Sequence, residues 1–470
     1  MDYSELFVWH SVLHLGALSI LLLSANILRR KVPFLRKSLL PTAVIAGFLG
    51  LILKETLFIR LVSETTYQAS NDFLRILIYH SIALGFIALG LKLQQKIHDD
   101  DVKKRSIFSG LLIVSTYILQ GMIGLSLTLF MAFTIFPNLF SAAGMLLPMG
   151  FGQGPGQASN IGTLYENTYG FVGGSTFGLA IASFGFIWAS TVGVFYLNYL
   201  NKKQLLPKRL KEKRTLITQQ EIDTPNEIPV AEAIDKFTIQ IALVFLVYMF
   251  TFGFIFGSAR LLDTGILGAF GIDTIKPLII GFNFIFGMLF ALVFKRIFIG
   301  LKKTGLMTRQ YPNNFMLNRV AGFIFDFMIV AAITAIRIED LRDLWVPFFI
   351  LVFVVGTATL FYVKWIVQRI YPKYPIPATM GMFGMLSGTV STGVVLIREV
   401  DPDFKTPAIN DLVLGSSTAI LFGFPILLLV GFAPISTMYS VMTLIIIIIL
   451  FIISLAFILK FNAKPTGKKC

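Results

Sequence analysis

Cysteine, histidine and charge are what this sequence has least of. Its one cysteine, Cys470, is the final residue, which excludes a disulfide framework or a multi-cysteine metal site and leaves the redox compartment unread. Four histidines (His10, His14, His80 and His98) are too few and too scattered for a metal cluster. His10 and His14 do share an i, i+4 face, which reads more simply as a wet helix end than as a metal pair. Charged residues make up 14% of the chain, where a soluble domain carries about 25%. That deficit excludes a soluble enzyme, a disordered chain and a conventional nucleic-acid binder.

What fills the space is apolar. Hydrophobic residues reach 56% of 470, the composition of an all-α polytopic membrane protein. A helical span takes roughly 20 apolar residues, which leaves room for about eleven spans with their loops. The apolar runs sit at 8–28, 38–58, 73–91, 107–135, 172–200, 237–259, 276–299, 319–337, 345–368, 407–431 and 437–459. The net charge of +15 needs no nucleic-acid partner, because basic residues gather in cytoplasmic loops to fix topology.

Orientation follows from where those charges fall. The first run has no basic residue before it and the cluster Arg29, Arg30, Lys31, Arg36, Lys37 after it, the reverse of a cleavable signal. The N-terminus is therefore expected outside. The loops then placed inside (29–37, 92–105, 202–214, 295–319, 364–373 and 460–469) hold 30 of the 40 Lys and Arg and only four acidic residues. Those placed outside (54–75, 260–276 and 337–343) are nearly balanced. Residues 398–411 dissent, with Arg398 and Lys405 against Glu399, Asp401, Asp403 and Asp411, but acidic residues weigh little in this rule. The C-terminus is expected in the cytoplasm.

Two apolar segments do not look like spans. Residues 139–166 break at Gly152-Gln153-Gly154-Pro155-Gly156, and residues 376–399 break between Ser387 and Gly393. Each is too short to cross the bilayer twice, and each reads as a re-entrant hairpin of two half-helices meeting at a polar tip. Exposed backbone at that depth is tolerated only where protein or a wet cavity surrounds it. A shift of 232 residues aligns Phe151-Gly152 with Phe383-Gly384, Gly156 with Gly388, Ser159 with Ser391 and Leu164 with Leu396. A shift of 245 aligns 88–93 with 333–338. These matches, in the same order, indicate two repeats of five spans. An odd number of spans inverts the second repeat.

The expected organisation is thus an N-terminal repeat, 1–200, with hairpin 139–166, and a polar cytoplasmic linker, 201–236. A C-terminal repeat, 237–435, carries hairpin 376–399, and 436–470 adds one further transmembrane helix and a basic tail. Interrupted segments in matching positions of inverted repeats point to a transporter site near the midplane. A half-helix N-terminus offers free N–H groups to a carboxylate, and hydroxyl and carbonyl oxygens suit a hard cation. The candidate substrate groups are Gln153, Gly154, Gly156, Gln157, Ser159 and Asn160 in the first hairpin and Ser391 and Thr392 in the second. Arg398 either reaches a substrate carboxylate or is simply solvated. Ser387 and Thr389 are candidate Na⁺ ligands, together with Asp326. That aspartate lies inside a span, where an ionisable residue is a functional candidate by default; the other reading pairs it with a Lys or Arg. His80 reads as a packing residue, and Asn283 and Gln120 as helix–helix glue. The Gly-x-Gly-x-Gly run is no nucleotide fingerprint, lacking a strand before it.

The run Gly152-Gln153-Gly154-Pro155-Gly156-Gln157-Ala158-Ser159, with Tyr165-Glu166 and Tyr169-Gly170-Phe171 beyond it, resembles the first hairpin of the bacterial sodium–glutamate symporter family. Ala182-Ser183-Phe184-Gly185 looks like that family's fifth span, and Phe383-Gly384 to Thr392 is similar to its second hairpin. Leu91-Lys92-Leu93 and Ile336-Arg337-Ile338 also fit. The resemblance implies a homodimeric secondary transporter of the inner membrane that imports glutamate with Na⁺, needs no other cofactor and moves its hairpins as an elevator. Typical members have His where this chain has Gln153 and Thr where it has Pro155, so another dicarboxylate or amino acid stays open as cargo. Open too are a carrier coupled to protons and, from another class, a channel built on two pore loops. An intramembrane enzyme has no paired aspartates or Ser–His pair to rest on.

Overall fold

The computed structural model describes residues 3–93, 100–203, 205, 230–306, 312–402 and 405–462. Most of the expected linker (204 and 206–229), the tail from 463 to Cys470, and His98 and Asp403 lie outside the described residues. Every regular element among the described residues is helical. Helix is the one open-ended structure that satisfies its backbone within a single segment in lipid.

In chain order the α-helices of six residues or more are α1 (Tyr3–Lys31), α2 (Thr42–Leu53), α3 (Glu64–Leu91), α4 (Asp100–Thr134), α5 (Pro155–Tyr169), α6 (Gly174–Lys202), α7 (Val230–Asp263), α8 (Lys276–Gly281), α9 (Asn283–Lys303), α10 (Asn314–Thr334), α11 (Trp345–Ile370), α12 (Pro375–Leu386), α13 (Val390–Val400), α14 (Ala408–Phe422), α15 (Phe424–Phe432) and α16 (Thr437–Asn462). Ten helical stretches of the described residues are long and apolar enough to cross a membrane, and each overlaps one of ten expected runs, with ends that differ by up to nine residues. The eleventh differs. Run 407–431 is two helices, α14 and α15, meeting at Gly423 with Pro425 at the start of the second. Proline has no N–H for the helix ladder and its ring collides with the carbonyl four residues back, so the apolar run continues while the helix does not. Run 276–299 is divided too, at Phe282, with no proline at that break.

The helices pack as two neighbourhoods. In one, α3 lies against α9 and α10, α10 against α2, α1 against α2, and α7 against α9. In the other, α4 is the hub, touching α14, α16 and α11 and the turns that precede α5. The helix that joins them is α5, which packs along α6 on one side and against α3, α8 and α10 on the other.

Small residues allow that central placement. A Cβ on Gly162 of α5 would stand 2.3 Å from the carbonyl oxygen of Gly174, and one on Gly178 of α6 would stand 2.3 Å from that of Ala158. The two backbones therefore touch directly, as small residues permit between membrane helices. Gly178→Ala is expected to cost about 1–3 kcal/mol through overpacking against a backbone that cannot swing away. Gly253→Ala, on the open face of α7 with nothing within 4 Å, serves as the control. Thermal unfolding in detergent should show the first variant well below wild type and the second at or above it.

Candidate functional site

The chain breaks its helices where two buried tips meet. Before the first, a 3₁₀ turn (Ala143–Met145) and a π-helical turn (Pro148–Gln153) run into Gly154, which adopts φ 98° and ψ −179°. Only glycine adopts that region without strain, so the ladder stops there and α5 starts afresh. Pro155 takes its first position, where the missing N–H would have had no partner in any case. At the second tip α12 ends at Leu386, and Ser387, Gly388 and Thr389 lead into α13. The tips adjoin each other: the Cβ position of Gly154 lies 4.0 Å from Cγ2 of Thr389. Gly185 of α6 is wedged beside both, its Cβ position 2.4 Å from the Ser387 carbonyl oxygen and 2.9 Å from the Phe151 ring.

One turn of α4 holds the carbonyl ends of both breaks. The Tyr117 hydroxyl donates to the Gly152 carbonyl at 2.9 Å. The Gln120 amide donates to the Leu386 carbonyl at 2.9 Å and to Thr359 Oγ1 at 3.1 Å. Of seven buried side-chain atoms without a hydrogen-bond partner among the described residues, three gather here: Gln120 Oε1, Gln157 Oε1 and Ser387 Oγ. Buried polar atoms are nearly always satisfied, so three unpaired oxygens on the two tips and their support call for a bound polar or cationic group. At the same place point the N-terminus of α5, led by Gly156 and Gln157, and that of α13, led by Val390, Ser391 and Thr392. These ends present N–H groups and partial positive charge.

The structure brings most of the expected residues to this place. Gln153 is half-buried, and Gly154, Gly156, Gln157, Ser387 and Thr392 are buried at or next to the tips, while Ser391 is exposed at the start of α13. Thr389 Oγ1 lies 3.4 Å from Thr392 Oγ1. Ser159 and Asn160 sit a turn further along α5. Ser159 Oγ is 3.5 Å from Ser175 Oγ. The Asn160 amide reaches the Asn283 Oδ1 at 3.3 Å and the Gly281 carbonyl at 3.5 Å, in the break between α8 and α9. Asn283 in turn donates to the Tyr79 carbonyl at 3.0 Å, so a buried polar chain leads from α5 into α9 and α3.

Two expected residues are elsewhere. Arg398 is exposed in the last turn of α13, nine residues and so about 13 Å of helix from Thr389. Asp326 is exposed on α10. Met328, two residues on, turns its sulfur to within 2.7 Å of the Gly156 Cβ position, and two residues rotate a helix by roughly 200°. Asp326 thus faces away from the tips.

The second break is also anchored at its root. Asp411 of α14 accepts from Arg105 Nε at 3.2 Å and from the Tyr374 hydroxyl at 2.5 Å. Asp401 closes the turn after α13, accepting from Lys405 N, Thr406 N and Thr406 Oγ1. Burial pushes its carboxyl up, but those hydrogen bonds and the Lys405 charge outweigh it and hold the group below the usual carboxylate value.

Sequence reasoning passed over Tyr117, read Gly185 only as part of a span, and read Gln120 and Asn283 as glue. The signal that was there is two polar side chains three residues apart on one face of an apolar helix. No group of three or more His, Cys, Asp or Glu suited to a metal ion occurs among the described residues. The family model described as sodium/glutamate symporter matches residues 10–400 of the chain. No curated protein matches it.

Gly154→Ala should strain the tip by about 1–3 kcal/mol and lower the unfolding midpoint in detergent. Pro155→Ala, at a position that needs no N–H, should unfold close to wild type.

Proposed function

The chain belongs to the sodium/glutamate symporter family, a membrane transporter, and from that premise we propose that it couples Na⁺ entry to uptake of glutamate or a similar acidic amino acid at the two tips. The observation that carries this reading is the meeting of two interrupted helices with unpaired oxygens and free helix N-termini in one buried place. The N-termini of α5 and α13 attract the substrate carboxylates. Gln157 Oε1, Ser387 Oγ and the carbonyls that end α12 and the π turn are hard oxygen ligands for Na⁺; each of those carbonyls keeps a second lone pair after its hydrogen bond to α4. Arg398 and Asp326 have no part in this reading.

Alternating access follows from the two neighbourhoods. Segments 139–166 and 376–399 act as re-entrant hairpins in inverted repeats, and the packing supports that symmetry: α9 lies on α3 as α2 lies on α10, and α7 lies on α9 as α1 lies on α2. The α4 neighbourhood carries the tips past the framework of α1 to α3 and α7 to α10, sliding along α5, in an elevator movement. In this reading the protein is a homodimer of the bacterial inner membrane, with its N-terminus outside and its C-terminus in the cytoplasm. Ion and substrate together favour the moving state, with a coupling of about 1–3 kcal/mol.

The test is uptake of labelled glutamate into proteoliposomes, with an inward Na⁺ gradient or with choline in its place. Uptake is expected only with Na⁺, and Thr392→Ala or Asn160→Ala should reduce it at least tenfold while the protein stays folded. Equal rates in Na⁺ and choline would sink the coupling. Wild-type rates in both variants would sink the assignment of the tips, and uptake of another carboxylate alone would move the cargo to that compound.

A further inference from the structure

Gln120 and Tyr117 do more than fill a helix interface. The Leu386 carbonyl can only accept, so the Gln120 amide nitrogen must face it, and its second N–H goes to Thr359 Oγ1. The Thr359 hydroxyl spends its own hydrogen on the Val355 carbonyl at 2.8 Å. That fixes the side-chain amide and turns Oε1, buried and unpaired, toward the other tip, 3.1 Å from where a Cβ on Gly152 would stand. The Tyr117 ring lies 2.3 Å from that same point, while its hydroxyl holds the Gly152 carbonyl. One turn of α4 therefore grips the last carbonyls of the first break and of the second. The two residues lie in the middle of α4, which packs against α11, α14 and α16.

We infer that Tyr117 and Gln120 are positioning residues that brace the two tips against each other, so that a ligand at one tip sets the affinity of the other. This rests on the reading of the tips as the transport site. A ligand that draws the Gly152 carbonyl toward itself pulls on the Tyr117 hydroxyl, one that draws the Gln120 oxygen pulls on the amide that also holds Leu386, and the two side chains share one turn of α4. The energy of ion binding then appears as substrate affinity, and the linkage is reciprocal.

The experiment is binding of labelled glutamate to the purified full-length protein at low and at saturating Na⁺, choline keeping the ionic strength constant. For the wild type, affinity is expected to rise at least tenfold between the two conditions. In Tyr117→Phe and Gln120→Met the rise should shrink to less than threefold, while glutamate still binds at saturating Na⁺. A purely structural role would lower the unfolding midpoint or weaken binding equally in both conditions and leave the ratio unchanged, which overturns the brace. Tyr117→Phe removes one hydroxyl and keeps the ring packing, so it carries the test if Gln120→Met does not fold. Wild-type protein whose glutamate affinity ignores Na⁺ would overturn the functional reading and the brace together. A wild type that responds beside variants that respond equally overturns the brace alone.

Discussion

A buried helix cannot simply stop. Each carbonyl and N–H left bare in an apolar interior costs a few kcal/mol unless something else satisfies it, and this chain stops two helices inside its core. Everything around the tips answers that demand. Tyr117 and Gln120 take the carbonyls of Gly152 and Leu386, Pro155 removes an N–H that would have had no partner, and Gly185 lets α6 close in beside both breaks. What is left unsatisfied at the tips is a short set of oxygens and helix N-termini.

The same demand accounts for α5. A helix that begins in the middle of the protein has to be gripped along its length, and α5 is gripped by direct backbone contact with α6 through Gly162, Gly174 and Gly178. On its other flank side chains make the contact, Ile82 and Met328 against Gly156, and Asn160 reaches the α8–α9 break.

The sequence made the spans legible because apolar length is a local property, read one window at a time. The breaks were legible too, since glycine, proline and hydroxyl residues inside an apolar run have few other uses. Gly423 and Pro425 went unread because the run stays apolar across them, and hydropathy does not register a missing hydrogen bond. Asp326 was placed within a span but on no particular face, as span boundaries uncertain by a few residues blur rotation about the axis. Tyr117 and Gln120 were hidden for a different reason. Their meaning lies in partners 35 and 266 residues away, and no pattern within α4 announces which carbonyl a side chain will find.

Gly154 has a consequence for how such a chain can diverge. Its backbone conformation admits no side chain, but its neighbours are under no such restriction: Gln153 ends a turn with its side chain half free, and Pro155 occupies a position that asks for no donor. Residues on either side can exchange their chemistry while the corner between them keeps its shape. The tip is thus a fixed joint with interchangeable jaws, and on the proposed reading a change of cargo there requires no change of fold.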